Sequence, residues 1–194
     1  MAMDPTPRIP PLEPPFDAPL QQALERITPP AAPNILALFR VLARHPDLMD
    51  RMRSVGGFLL GPKASLPLRD REVVIDRVCA RCGAQYEWGV HVAAFGAAAG
   101  FTQAQTRAIA DPAAAHRQAR DDQDPLTPRD RLLVRMVDQL HDSGTVDDAL
   151  WAELAAHWSE PQLIELLVLA GWYHAISYVC TAARVPLERW AARW

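Results

Sequence analysis

Glu72, Cys79, Cys82, Glu87 and His91 are residue types that move protons or electrons, and they lie close together in a largely apolar stretch. Burying such groups is costly unless they are paired or used, so the cluster marks a candidate site. Glu87 and His91 are four apart and share one face of a helix, where a carboxylate holds and charges an imidazole. Glu72 belongs to the preceding helix. If Gly83 ends that helix and Tyr86 opens the next, an antiparallel pair returns Glu72 to the side of His91. An imidazole gripped by a buried carboxylate titrates near neutrality, which suits general acid and base catalysis. The bland reading of Glu87 and His91 is an exposed i, i+4 pair, and the apolar neighbours Trp88, Val92, Ala94 and Phe95 argue against it.

The thiols are more ambiguous. Cys79 and Cys82 are i, i+3 on one helix, close enough in principle to bridge, and Arg77 and Arg81 favour a thiolate. Their place in the last helical turn works the other way, because the negative end of the dipole raises a thiol pKa. Cys79, Cys82, Glu87 and His91 amount on paper to four zinc ligands, but a structural zinc site normally draws on separated ligand pairs across a loop, so no metal is assigned.

The spacing also carries a resemblance. Glu72, with His91 nineteen residues later and Tyr86-Glu87-Trp88 just before the histidine, resembles the core of the carboxymuconolactone decarboxylase and alkylhydroperoxidase D superfamily. The likeness extends over residues 34–101, with the core motif at 66–101. In the superfamily's peroxidase branch a Cys-x-x-Cys pair has its second cysteine four residues before the histidine. Here those two positions are Ala84 and Glu87, and the Cys79/Cys82 pair sits five residues too early. The decarboxylase branch, with a Glu four residues before the histidine, is the better match. The resemblance therefore implies a decarboxylase-like lyase using Glu72, Glu87 and His91 as a proton relay on a small organic acid or lactone, without metal or organic cofactor. Arg71, Arg77 or Arg81 would hold substrate carboxylates. The alternative is an alkylhydroperoxidase-like thiol peroxidase (peroxiredoxin activity), in which Cys79 or Cys82 attacks the peroxide and the other thiol resolves it. A third reading is a non-catalytic, ligand-binding helical oligomer.

The elements that must position these residues are all helical. Ten of the eighteen prolines fall in residues 1–33, which predicts a Pro-rich arm with a short amphipathic piece at Pro19 to Ile27, lying over a neighbouring subunit or disordered. Residues 34–194 form one all-α domain. A 3.6 period runs through Ile35, Leu38, Phe39 and Leu42, and Pro46 to Leu60 gives a second amphipathic helix. The Glu72 helix and the His91 helix follow, the latter ended by Gly100. Thr102 and Gln105 form a capping box, and Asp111 to Pro125 reads as a solvated connection. Thr127-Pro128 opens a helix ending near Gly144, Asp147 caps one from Ala149 to Trp158, and Ser159 caps the long apolar helix to about Arg184. Tyr173, His174 and Tyr178 on that helix read as core or interface groups, and the C-terminal tryptophans as packing anchors. Leu66-x-x-Arg69-Asp70-Arg71 recurs as Leu126-x-x-Arg129-Asp130-Arg131, which suggests two related halves with chemistry only in the first.

Composition bounds the rest. A chain of 194 residues, 49% hydrophobic, supports one core of ordinary size. A net charge of −3 gives no basic field for nucleic acid. Three cysteines make no disulfide framework, the first thirty residues lack a signal-peptide pattern, and the run Leu166 to Cys180 is too short for a bilayer. The expectation is a soluble, cytoplasmic homo-oligomer, a trimer or hexamer in the family manner or else a dimer, with a small-molecule substrate and neither nucleic-acid nor membrane partners.

Overall fold

The computed structural model describes residues 6–29, 32–112 and 124–194, and among them the regular structure is entirely helical. Among the described residues nine helices follow one another: α1 (Ala18–Ile27), α2 (Ala37–Leu42), α3 (Pro46–Leu59), α4 (Leu68–Arg81), α5 (Gln85–Phe95), α6 (Gln103–Ala110), α7 (Pro128–Ser143), α8 (Asp148–Ala155) and α9 (Glu160–Ala182). Local chemistry sets most boundaries. Thr102 and Thr127 each close a capping box with the residue three places on, and Asp147 accepts from the Leu150 N–H. Gly83, Gly100 and Gly144 stop their segments at positive φ, a region that glycine enters without steric cost.

Three expectations change. The His91 helix ends at Phe95, and residues 96–100 turn before Gly100, because the chain must swing to start α6. The α8 helix is shorter than predicted, closing at Ala155. Residues 6–29 lie on their own chain: the Arg8 N–H donates to the Ala183 carbonyl, the Leu12 N–H to Arg40, and Leu24 of α1 is fully buried. Of the predicted polar connection, residues 113–123 lie outside those described.

Helix α4 is the hub. Nearly every residue from Asp70 to Cys79 is buried, packed between α7, α9 and α5. The sequence repeat explains how α4 meets α7. Arg69 makes a two-pronged ion pair with Asp130 (3.0 and 2.7 Å), and Arg129 returns the same bond to Asp70 (2.6 Å). Each repeat thus neutralises the other across an approximate two-fold relation. One turn-pair further on, Arg77, with no exposed surface, grips Asp138 at 2.7 and 2.8 Å and donates to the carbonyls of Ile109 and Asp111. Such a charge is tolerable in a core only because its donors are satisfied. Helix α9 runs 23 residues and is long and apolar enough to cross a bilayer by length and composition, longer than the run read from sequence. In the fold one side of it is core: Leu163, Leu166, Leu169, Ala170, Tyr173, Ile176 and Cys180 are buried.

Apolar side chains form two clusters. One joins α4, α7, α8 and the first half of α9. The other joins α1, α2, the second half of α9 and the C-terminal segment. Helix α5 runs between them, buried on all sides from Tyr86 to His91.

Candidate active site

Gly83 lets the chain reverse between α4 and α5, and the reversal brings Glu72 and His91 together. The His91 Nδ1 lies 2.8 Å from Glu72 Oε2, and the Glu87 Oε1 lies 3.7 Å from Nε2. Helix α9 supplies a third partner: the Tyr173 hydroxyl is 2.9 Å from Nε2. All four groups are buried. This geometry has one consistent proton arrangement for the neutral ring. Nδ1–H donates to the Glu72 carboxylate, and Nε2 accepts from the Tyr173 O–H. Glu72 is itself held on its far side, where Arg71 Nε donates to Oε1 at 2.9 Å while Arg71 Nη1 donates to the Leu60 carbonyl.

Burial by itself would lower the His91 pKa. The Glu72 charge and hydrogen bond, helped by Glu87 and Asp76, outweigh it and hold the imidazole above its ordinary value. Burial raises the Glu87 carboxyl, against the smaller pull of His91. Burial, with the Glu87 and Glu72 charges, keeps the Tyr173 phenol firmly protonated. His91 therefore holds its proton more tightly than a free imidazole, between one acid that fixes it and another that shares its pocket.

His91, Glu87 and Tyr173 form the floor of a pocket of about 330 Å³. Its walls are apolar, with Leu36, Leu38, Phe39, Met52, Phe95 and Trp172 among them. Arg26 and Arg53, both exposed, stand at its margin, Arg53 paired with the exposed Asp50 at 3.1 Å. The three arginines expected to hold a substrate are not there. Arg71 is committed to Glu72, Arg77 to Asp138, and Arg81 to Asp138 and Asp142.

The thiols also stand apart. Neither Cys79 nor Cys82 lines the pocket. Cys79 is fully buried, and burial followed by the Glu87 and Asp76 charges drives its pKa well up. Cys82, the C-cap of α4, is half-buried, and burial raises it too. Cys180 on α9 touches the relay, its Sγ 3.9 Å from Glu87 Oε2. Within the Tyr-Glu-Trp lead-in only Glu87 faces His91. Tyr86 donates to Glu188 (2.9 Å) and accepts from the Leu38 N–H, while Trp88 packs against Trp194 with ring centroids 5.1 Å apart.

Two residues escaped the sequence reading. Tyr173 gave no local signal, because only the packing of α9 on α5 brings it to the ring. Asp76 did give one: it is four residues after Glu72 on α4. Both its carboxylate oxygens are buried without a hydrogen-bond partner, and burial followed by the Glu72 charge pushes its pKa far up.

Comparison with known proteins agrees with the all-helical fold. Residues 46–122 match the carboxymuconolactone decarboxylase family. An uncharacterized peroxidase-related protein from Silicibacter sp. TM1040 shares the fold with a TM-score of 0.75 at 14% identity, over 91% of this chain and 88% of that one. A protein of unknown function from Agrobacterium tumefaciens, named as a candidate AhpD antioxidant-defence protein, gives 0.64 at 14% identity, over 76% and 94%. The debrominase Bmp8, solved with 2,3,4-tribromopyrrole, gives 0.63 at 14% identity, over 94% and 92%. No curated protein matches the chain in sequence. The sequence match to the carboxymuconolactone decarboxylase family thus spans residues 46–122, which include Glu72, Glu87 and His91, and the solved structures share the all-helical fold.

Proposed function

We propose that the protein is a proton-transfer enzyme of the decarboxylase-like kind, acting on a small organic acid or lactone with an apolar body. One observation carries this reading. The imidazole of His91 is fixed by Glu72 at one nitrogen, meets Tyr173 and Glu87 at the other, and opens onto an apolar pocket from which Cys79 and Cys82 are absent. In the reaction, the C–C bond to the departing carboxylate breaks and its electron pair passes into a conjugated carbonyl. Carbon dioxide leaves, and the resulting carbanion takes the proton of the His91 imidazolium, which solvent later restores. Glu72 stabilises the charged ring, and the dry wall disfavours a carboxylate in the ground state. A second acidic group on the substrate would meet Arg26 and Arg53 at the pocket margin. The small brominated ring bound by the similar debrominase is of a size that a pocket of about 330 Å³ accepts.

The thiol-peroxidase alternative needs a thiolate beside the relay. It is disfavoured by the position and the raised pKa of both Cys79 and Cys82. The test is a panel of lactone acids followed by carbon dioxide release, run beside peroxide consumption with a dithiol reductant. His91→Ala should lose about 10²–10⁴-fold in decarboxylation, and Cys79→Ser/Cys82→Ser should retain it. Peroxide turnover that requires both thiols, with no lactone-acid turnover, would replace this reading with the peroxidase.

A further inference from the structure

Away from the pocket, three metal-ligating side chains from three helices converge. Cys82 caps α4, His141 lies in the last turn of α7, and His174 lies midway along α9. We infer that Cys82, His141 and His174 form a binding site for a divalent transition metal of the zinc class, separate from the His91 centre.

The donor atoms already have nearly the right separations. His141 Nδ1 and His174 Nε2 are 3.1 Å apart, against about 3.3 Å for two imidazoles on one tetrahedral zinc. One ligand atom from each of the three residues falls within 4.8 Å of the others, and a tetrahedral sulfur–nitrogen edge is about 3.5 Å, so closure needs rotamer adjustments of about 1 Å. All three side chains are half-buried, open enough for an ion to enter and enclosed enough to be held. The His174 ring reaches the Ala170 carbonyl one turn back. A hydrogen bond of that kind fixes a ring's orientation and leaves its other nitrogen free to ligate. Tyr178 packs edge-on against the same ring, with centroids 5.6 Å apart.

The electrostatics favour a cation. The site sits where the C-terminal ends of α4 and α7 meet, and both direct their negative dipole ends at it. The one cation next in sequence, Arg81, is engaged by Asp138 and Asp142. Without a metal, the two imidazoles meet directly across their short N···N contact. A metal takes that place, the Cys82 thiol gives up its proton to solvent, and one tetrahedral position is left for water. One thiolate with two imidazoles selects zinc or cobalt over magnesium or calcium. Bound there, the ion ties α4, α7 and α9 together and withdraws Cys82 from thiol chemistry.

Cobalt titration of the full chain tests this. The expected result is one Co²⁺ per chain with tetrahedral visible bands and a thiolate-to-cobalt charge-transfer band, displaced by Zn²⁺ and untouched by Mg²⁺. Cys82→Ser should abolish the charge-transfer band. His141→Gln and His174→Gln should each weaken binding at least tenfold, and His157→Gln should change nothing. Zinc should raise the melting temperature of the wild type and not of the three variants, with helicity read in parallel by circular dichroism. A charge-transfer band that survives Cys82→Ser, binding indifferent to both histidines, or no saturable binding overturns the site.

Discussion

Two acids of unlike character flank His91, and their difference sets how the site responds to pH. Glu72 is salt-bridged by Arg71 and bonded to the ring, so its carboxylate is held in place on both sides. Glu87 is raised by burial and has the longer contact to Nε2 together with the Cys180 thiol at 3.9 Å. Because Glu72 is the chief cause of the raised His91 pKa, Glu72→Gln should lower it, and an NMR titration of the ring should show the midpoint moving to lower pH. No movement would mean that Glu72 does not charge the ring. The stability consequence has a definite sign. His91 binds its proton more tightly folded than unfolded, so its contribution is complete below about pH 6.5 and fades as pH rises through the folded value. Asp76 follows the same sign with the opposite benefit at neutrality. Its raised pKa means that folding is penalised as pH climbs above about 3.9, where the unfolded chain has already released the proton. Asp76→Asn should therefore be more stable than wild type at pH 7, by about 1–3 kcal/mol, with the gap closing towards pH 4. Urea denaturation at the two pH values measures this, and equal gaps would show that the carboxyl does not titrate on folding.

At the scale of elements, the α4–α5 hairpin carries Glu72, Glu87 and His91, and its neighbours hold it in register. Helix α5 is clamped by the C-terminal segment, which returns to donate from the Ala192 N–H to the Gly89 carbonyl at 3.0 Å. A Cβ at Gly89 would stand 2.4 Å from the Ala192 carbonyl oxygen and 3.3 Å from the Ala191 Cβ. Gly89→Ala should thus cost about 1–3 kcal/mol by overpacking and loosen Trp194 from Trp88. A melting temperature equal to wild type, with Trp fluorescence unchanged, would contradict the close approach. The α4 and α7 repeats show how one scaffold half was kept free of chemistry. Arg69–Asp130 and Arg129–Asp70 mirror each other, yet the position matching Glu72 is Leu132 and that matching Asp76 is Met136. The halves share the ionic frame and differ where only one needs carboxylates.

For the molecule as a whole, the N-terminal segment closes the pocket. Arg26 to Pro29, at the C-terminal end of α1 and just beyond it, form part of its wall, and α1 is anchored by Leu24, which has no exposed surface. Leu24→Ala should cost about 2–5 kcal/mol, and because it loosens a wall far from His91 it should raise KM more than it lowers kcat. A fall in kcat alone, with KM unchanged, would show that the segment does not shape the pocket.

Much of this was legible in the chain itself. Helix class followed from the 3.6 period, and the caps at Thr102, Thr127 and Asp147 and the stops at Gly83 and Gly144 placed most ends, because these are short-range interactions between residues a few positions apart. The meeting of Glu72 with His91 was equally readable, since one turn separates their helices. The sequence could not determine which groups arrive from distant elements. Tyr173 at Nε2, the capture of Arg71, Arg77 and Arg81 by internal acids, the fold-back of the N-terminal segment and the approach of His141 and His174 to Cys82 all depend on how α7, α9 and α1 pack. Packing is decided by the summed burial of both apolar clusters, a property of no single stretch, so only the tertiary structure could settle it.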